Sequence, residues 1–247
     1  MHTVFQDRLA VVTGASSGIG LAVTERLLSQ GAQVLAMSRQ IGGLGELAER
    51  FSTRLSWVAG DVTQPADLAR LAKQASTIGP VSYLVPNAGI AELADGLDVS
   101  AFDRQWAVNG AGAINTLASL RGHLAESTSV VFIGTFLAQV TFPGLAAYIA
   151  SKAALIAHTR TLAVELAPLG IRINTVSPGP TATPIWSTLG LKNEELNEVA
   201  NAVNLRLLDG QFLEAGAVAD VILFQLGNGA RNVFGQDWVV DSGYTLR

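Results

Sequence analysis

The stretch Leu9-Ala10-Val11-Val12-Thr13-Gly14-Ala15-Ser16-Ser17-Gly18-Ile19-Gly20 decides the fold. Its first four residues are an unbroken apolar run, the pattern of a strand covered on both faces. A glycine-rich turn follows at once, and residues 18–30 then read as a helix. Glycine permits positive φ and lets backbone come close to a ligand. The free N–H groups of a helix start attract phosphate, and the Ser16 and Ser17 hydroxyls add donors. The spacing Gly14-x3-Gly18-x-Gly20 differs from the Gly-x-Gly-x2-Gly of the larger dehydrogenases. A purely structural glycine turn is the bland alternative.

Outward from this turn the same alternation repeats. Strands are expected at 33–37, 55–59, 81–85, 129–133, 171–176 and 238–240, and helices at 44–51, 66–76, 101–120, 146–167 and 215–226. Repeated βα units with continuous apolar strands predict an α/β fold: a Rossmann-like doubly wound parallel sheet of about seven strands, helices on both faces. One domain over residues 1–247 is expected. Residues 181–213, long and lying between a strand and the last helix, read as a substrate-loop insertion.

Composition narrows the function. Hydrophobic residues are 49% of the 247 and charged residues 15%, which excludes disordered and fibrous classes. Sixteen basic against twenty acidic residues, with no run of five like charges, argue against nucleic-acid binding. There is no cysteine, hence no disulfide or thiol chemistry, and the scattered His2, His123 and His158 offer no metal spacing. No apolar run approaches the ~18 residues of a membrane span, so a soluble, cytoplasmic protein with no membrane partner is expected.

Five further motifs follow the glycine turn in order: Asp61-Val62, Pro86-Asn87-Ala88-Gly89, Asn109, Tyr148-x3-Lys152 and Ser177-Pro178-Gly179. With them the chain resembles the short-chain dehydrogenase/reductase family, non-extended type, from residue 9 to about 243. The resemblance implies a nicotinamide cofactor held by Gly14, Ser16, Ser17, Gly18, Ile19 and Gly20, with Asp61 and Val62 at the adenine. It also places Asn87, Ala88, Gly89, Pro178, Gly179, Thr181 and Thr183 along the cofactor. Pro86 stands where the family usually has Asn and lacks an N–H, so altered strand geometry is expected there.

The acid of NAD-preferring members would fall at Ser38, seven residues after Gly31. It is missing, and Arg39 follows, a cation able to grip a 2′-phosphate. NADP(H) is therefore favoured over NAD(H), with a solvated surface arginine as the alternative.

Tyr148 and Lys152, four apart, lie one turn apart on one helix face. An adjacent ammonium and an oxidised nicotinamide would favour phenolate, so Tyr148 can give or take a proton. Lys152 is expected to hold the nicotinamide ribose as well. By resemblance, Asn109 bends its helix and binds a water that links Lys152 to solvent. The family's active-site Ser, thirteen residues before the Tyr, is Thr135 here. Threonine keeps the hydroxyl that polarises a carbonyl but stiffens χ1.

The leading expectation is an NADP(H)-dependent carbonyl reductase or secondary-alcohol dehydrogenase for a small or medium neutral ketone, with hydride transfer on the pro-S face. A non-catalytic NADP(H)-binding regulator and a 3-oxoacyl-carrier-protein reductase are the alternatives. Extended-type epimerases need a larger C-terminal domain, and enoyl reductases of this fold space Tyr and Lys more widely. Residues 182–214 carry Lys192 and Arg206 against Glu194, Glu195, Glu198, Asp209 and Glu214, which would repel an acidic carrier. Trp186, Leu189, Leu191 and Phe212 in that segment are expected to make apolar contact with substrate. Ala150, Ala153, Ala154 and Ala157 on an Ala-rich helix predict close packing with another copy, in a homo-oligomer and specifically a tetramer.

Overall fold

The computed structural model describes residues 5–247, so His2 lies outside the described residues. Seven strands form one parallel sheet in the order β3-β2-β1-β4-β5-β6-β7. They are β1 (Leu9–Thr13), β2 (Gln33–Ser38), β3 (Leu55–Ala59), β4 (Val81–Pro86), β5 (Leu124–Ile133), β6 (Ile171–Pro178) and β7 (Asp237–Val240). β1, β2 and β4 are buried almost throughout because helices cover both faces.

On one face lie α1 (Gly18–Ser29), α2 (Leu44–Arg50) and α8 (Ala215–Leu226), packed through Val23, Leu27, Leu44 and Ile222. On the other lie α3 (Pro65–Ile78), α4 (Val99–Trp106), α5 (Ala113–Leu120) and α6 (Ala146–Leu166), through Leu71, Leu117 and Leu155. The chain winds outward from β1 to β3, then crosses back to β4 on the other side of β1. At that reversal the connections leave in opposite directions and open a crevice at the carboxyl ends of the strands.

The expected helix over 101–120 is three pieces. Between α4 and α5 the residues Ala107–Gly112 form a wider π-helical turn. Packing imposes it: a Cβ on Gly110 would stand 2.1 Å from the Trp106 ring, and one on Gly112 2.6 Å from Val62. β5 begins five residues earlier than expected, and its register with β4 jumps between Val81–Leu124 and Tyr83–Ser129. β3 stops at Ala59, so Asp61 and Val62 lie just past the strand. Pro86 does not disturb β4; it pairs regularly with Thr13, and the β1–β4 irregularity is at Leu9/Ala10.

Residues 181–213 form a closed excursion. Thr181 bridges to Leu213, and Ala182 N donates to Leu213 O at its base. Within it are a 3-10 turn, Pro184–Leu189, and α7 (Asn193–Asn204). Among the described residues no helix is long and apolar enough to cross a membrane.

Candidate active site

A cavity of about 720 Å³ runs along the crevice, lined by the loops that leave the carboxyl ends of β1 to β6. It begins at the β1–α1 turn. Gly14 has φ +62°, and a Cβ there would meet Ala88 Cα at 2.7 Å. A Cβ on Gly20 would stand 2.3 Å from Gly14 O. Both positions thus demand glycine. The N-terminus of α1 has no side-chain cap and no acidic residue in its first turn, so its N–H groups and dipole stay available to an anion.

Asn87 sews this turn to β4. Its Nδ2 donates to Thr13 O and Gly14 O, both at 3.1 Å. Thr13 Oγ1 accepts from the N–H of Asn87 and of Ala88. The crevice between the first and fourth strands is thereby held at fixed width. Thr183 sits over the glycine turn, 3.0 Å from where a Gly18 Cβ would be.

At the far end of β2, Ser38 is buried and its hydroxyl is already used. It donates to Gln40 O at 2.7 Å and accepts from Trp57 Nε1 at 2.9 Å. Arg39 lines the cavity and is exposed. Asp61 also lines it, but Oδ1 accepts from Thr63 N and Thr63 Oγ1, an Asx turn that orients the carboxylate. Val62, Gly89, Pro178 and Gly179 complete the wall. Thr181 lines the cavity too, and its hydroxyl donates to Gly179 O at 2.9 Å. Serving the turn at the base of the insertion satisfies it locally.

The polar centre lies where β5 meets α6. Thr135 is buried, its Oγ1 accepts from Leu137 N at 3.3 Å, and it lines the cavity together with Tyr148. Burial pushes the Tyr148 phenol above its ordinary value, and the Thr135 hydroxyl partly opposes this.

Lys152 does not bond to the phenol. Its Nζ donates to Ile133 O at 2.8 Å, and burial brings its pKa down to about 8. Gly89 makes room at this point, since a Cβ there would stand 3.6 Å from Lys152 Nζ and 3.2 Å from Asn109 Oδ1.

Asn109 is fully buried in the π-helical turn. Its Nδ2 donates to Ile90 O and to Ser151 Oγ, and its Oδ1 accepts from Ile90 N. One turn earlier Gln105 grips Glu92 in the same two-point way, through Glu92 N at 3.1 Å and Glu92 O at 3.3 Å. Two carboxamides four residues apart thus clamp alternate residues of the extended loop after β4. Sequence reading missed Gln105 and Ser151. Gln105 stands one helical turn before Asn109, and that spacing was the available signal.

The substrate end is roofed by the 3-10 turn of the insertion, which supplies Ile185, Trp186 and Leu189. Leu191 and Phe212, expected as lining, pack on the core instead, Phe212 lying behind the Trp186 ring at 4.9 Å. Several lining residues escaped sequence reading, among them Phe136 after Thr135, Phe142, Val203 and Tyr244 near the C-terminus. Among the described residues no cluster of three His, Cys, Asp or Glu could hold a metal ion.

A family model described as enoyl-(acyl carrier protein) reductase matches residues 14–245. The chain is 34% identical to 2-(R)-hydroxypropyl-CoM dehydrogenase of Xanthobacter autotrophicus, covering 97% of this chain and 99% of that protein. It is 31% identical to carbonyl reductase [NADPH] 2 of Sus scrofa, covering 99% of each. Among solved structures, a short-chain dehydrogenase/reductase of Brucella melitensis superposes with a TM-score of 0.89 at 28% identity, covering 99% of each chain. One from Caenorhabditis elegans, solved with cofactor, gives 0.90 at 25% identity, covering 98% of this chain and 96% of that one.

Proposed function

The chain belongs to the short-chain dehydrogenase/reductase family and is an oxidoreductase acting on alcohols or ketones, and from that premise we propose that it is an NADP(H)-dependent reductase of small or medium neutral ketones. The observation that carries this reading is that Thr135, Tyr148 and Lys152 line one cavity together with the glycine turn and Asn87 to Gly89.

The family binds a nicotinamide cofactor, and the residues present fit one. The uncapped start of α1, the strict glycines at 14 and 20, and a cavity continuous from Arg39 to Tyr148 make a cradle of the right chemistry. The β1–α1 turn and Arg39 would hold its phosphates, Asp61 and Val62 its adenine. Asn87 to Gly89, Lys152, Pro178 and Gly179 would lie along the rest. Thr183 over Gly18 would close the turn. When bound, such a cofactor supplies or accepts a hydride.

The chain's own residues handle the oxygen and the proton. Tyr148, held neutral by burial, donates its proton to the carbonyl oxygen as negative charge develops there. The Thr135 hydroxyl gives the same oxygen a second hydrogen bond. Lys152 is mostly protonated at pH 7 and supplies positive charge at the floor of the site. A non-catalytic regulator has no need of this full set of proton-handling groups.

The test is NADPH and NADH consumption with cyclohexanone by the parent, Tyr148→Phe and Arg39→Ala. Turnover by the parent that falls at least about a hundredfold in Tyr148→Phe supports the reading. Arg39→Ala should raise KM for NADPH about tenfold and leave KM for NADH nearly unchanged. No turnover by the parent with any ketone, or equal loss with both cofactors in Arg39→Ala, overturns the corresponding half.

A further inference from the structure

The cavity is divided by chemistry. Its charged lining side chains are Arg39, Asp61 and Lys152, two at the cofactor end and one at the floor. Beyond Tyr148, among the described residues, the walls carry no charged side chain. They are dominated by four aromatic rings, Phe136, Phe142, Trp186 and Tyr244, with Leu189 and Val203 between. The hydroxyl of Thr188 in this region is already engaged with Ala91 O and Ile185 O.

Two of these rings are fixed in place. Trp186 Nε1 donates to Thr181 O at 2.8 Å, and its ring leans on Phe212, so the indole is a wall and not a swinging gate. Tyr244 meets Phe136 edge-on, centroids 4.9 Å apart at 79°. On Tyr244 stands the Arg206 guanidinium, 4.3 Å from the ring centroid, which also donates to the carbonyl of Arg247. Arg206 does not line the cavity. Asp241 holds the same C-terminal hook by accepting from Gly243 N, Thr245 N and Thr245 Oγ1. Because Phe136 directly follows Thr135, the aromatic walls stand next to the residue that would orient the carbonyl.

We propose that the substrate is a ketone bearing an aryl group on its carbonyl carbon, with Trp186 and Tyr244 as specificity-determining residues and Arg206 as the positioning residue that holds Tyr244. This rests on the ketone-reductase reading. A flat apolar group would bury its surface between rings at favourable offset or edge-on geometry. A carboxylate or polyhydroxylated chain would lose its water there and face mostly aromatic and aliphatic walls, with no cation to receive it.

The experiment measures NADPH-linked kcat/KM of the full-length protein on acetophenone, 2-butanone, dihydroxyacetone and levulinate. Acetophenone should exceed 2-butanone by about tenfold and the two polar ketones by about a hundredfold. Trp186→Ala and Tyr244→Ala should each lower the acetophenone to 2-butanone ratio about tenfold, chiefly through KM for acetophenone. Arg206→Ala should lower the ratio as well, and Arg206→Lys, which keeps a cation over the ring, should restore it. Melting temperature and NADPH binding are followed in parallel, and if Tyr244→Ala does not fold, Trp186→Ala and the Arg206 pair decide. Reduction of 2-butanone with no aryl preference, or a ratio unmoved in the variants, overturns this proposal and leaves the ketone-reductase reading standing. No reduction of any ketone overturns both.

Discussion

At the scale of single residues, threonine in place of the family's serine keeps a hydroxyl donor at the proposed substrate-orienting position. Thr135 Oγ1 accepts from Leu137 N–H and keeps its own proton, which in the proposed role is donated to the substrate oxygen. Losing such a donor costs on the order of 3 kcal/mol, so Thr135→Ala should lower kcat about a hundredfold with NADPH affinity little changed. Thr135→Ser should stay within about tenfold of the parent. Turnover by Thr135→Ala equal to the parent would make Thr135 a packing residue. Lys152 makes a second prediction. Its pKa falls from 10.5 in an unfolded chain to about 8 in the fold, because burial penalises the ammonium. Between those values the unfolded chain binds the proton that the folded one has released, so stability rises with pH across that window. Relative to Lys152→Met, the cofactor-free parent should gain on the order of 3 kcal/mol from pH 8 to pH 10.5. Urea denaturation at pH 7.5 and 9.5, a range that holds about 2 kcal/mol of this gain, checks it, and a difference independent of pH would show that the ammonium is solvated.

At the scale of elements, the loop after β4 is held by α4 and the π-helical turn, not by the sheet. Gln105 and Asn109 each bind both the N–H and the C=O of one loop residue, as a neighbouring strand would. The wider turn at Ala107–Gly112 seats Asn109 fully inside, where its third bond goes to Ser151 on α6. Ser151 in turn donates to Tyr148 O, so the loop, α4 and the start of α6 form one hydrogen-bonded unit. Gln105→Leu strands two half-buried backbone groups and should cost about 2 kcal/mol. The melting temperature should then fall about 4–8 °C, with KM rising more than kcat falls because Ala91 lines the cavity. A melting temperature unchanged in calorimetry would mean that water replaces the clamp at no cost.

At the scale of the whole molecule, α6 packs one side against α4 and β6 and turns the other outward. Ala150, Ala154 and Ala157 are exposed there, while Ala153 is only partly so and belongs to the buried edge. Val164 further along is 75% exposed, so an apolar stripe runs along the outward face between the exposed His158, Arg160 and Glu165. The proposal of a homo-oligomer, specifically a tetramer, rests on this face. Small side chains let two such helices approach closely, and a long cation in the middle would prevent it. Ala154→Arg should therefore reduce the mass seen by light scattering at micromolar concentration without changing the circular dichroism spectrum. A monomeric parent would end the proposal.

The sequence by itself determined what depends on local pattern. Continuous apolar runs separated by helical stretches specify strands covered on both faces, so the parallel sheet and its seven strands were legible. The Gly14–Gly20 turn and the Tyr148–Lys152 spacing were legible too, because each is fixed within one turn or loop by sterics and helical pitch. Tertiary structure decided which polar groups remain free for chemistry. The hydroxyls of Ser38 and Thr181 and the amide of Asn109 look alike in sequence to available ligands, yet Gln40 and Trp57, Gly179, and Ile90 with Ser151 already engage them. It also decided which residues far apart in the chain form one wall. Phe136 and Tyr244 touch only because strand order brings the end of β5 near the C-terminal hook beyond β7, with β6 between. No periodicity records that contact, since its cause is the packing of a whole sheet rather than the geometry of any one element.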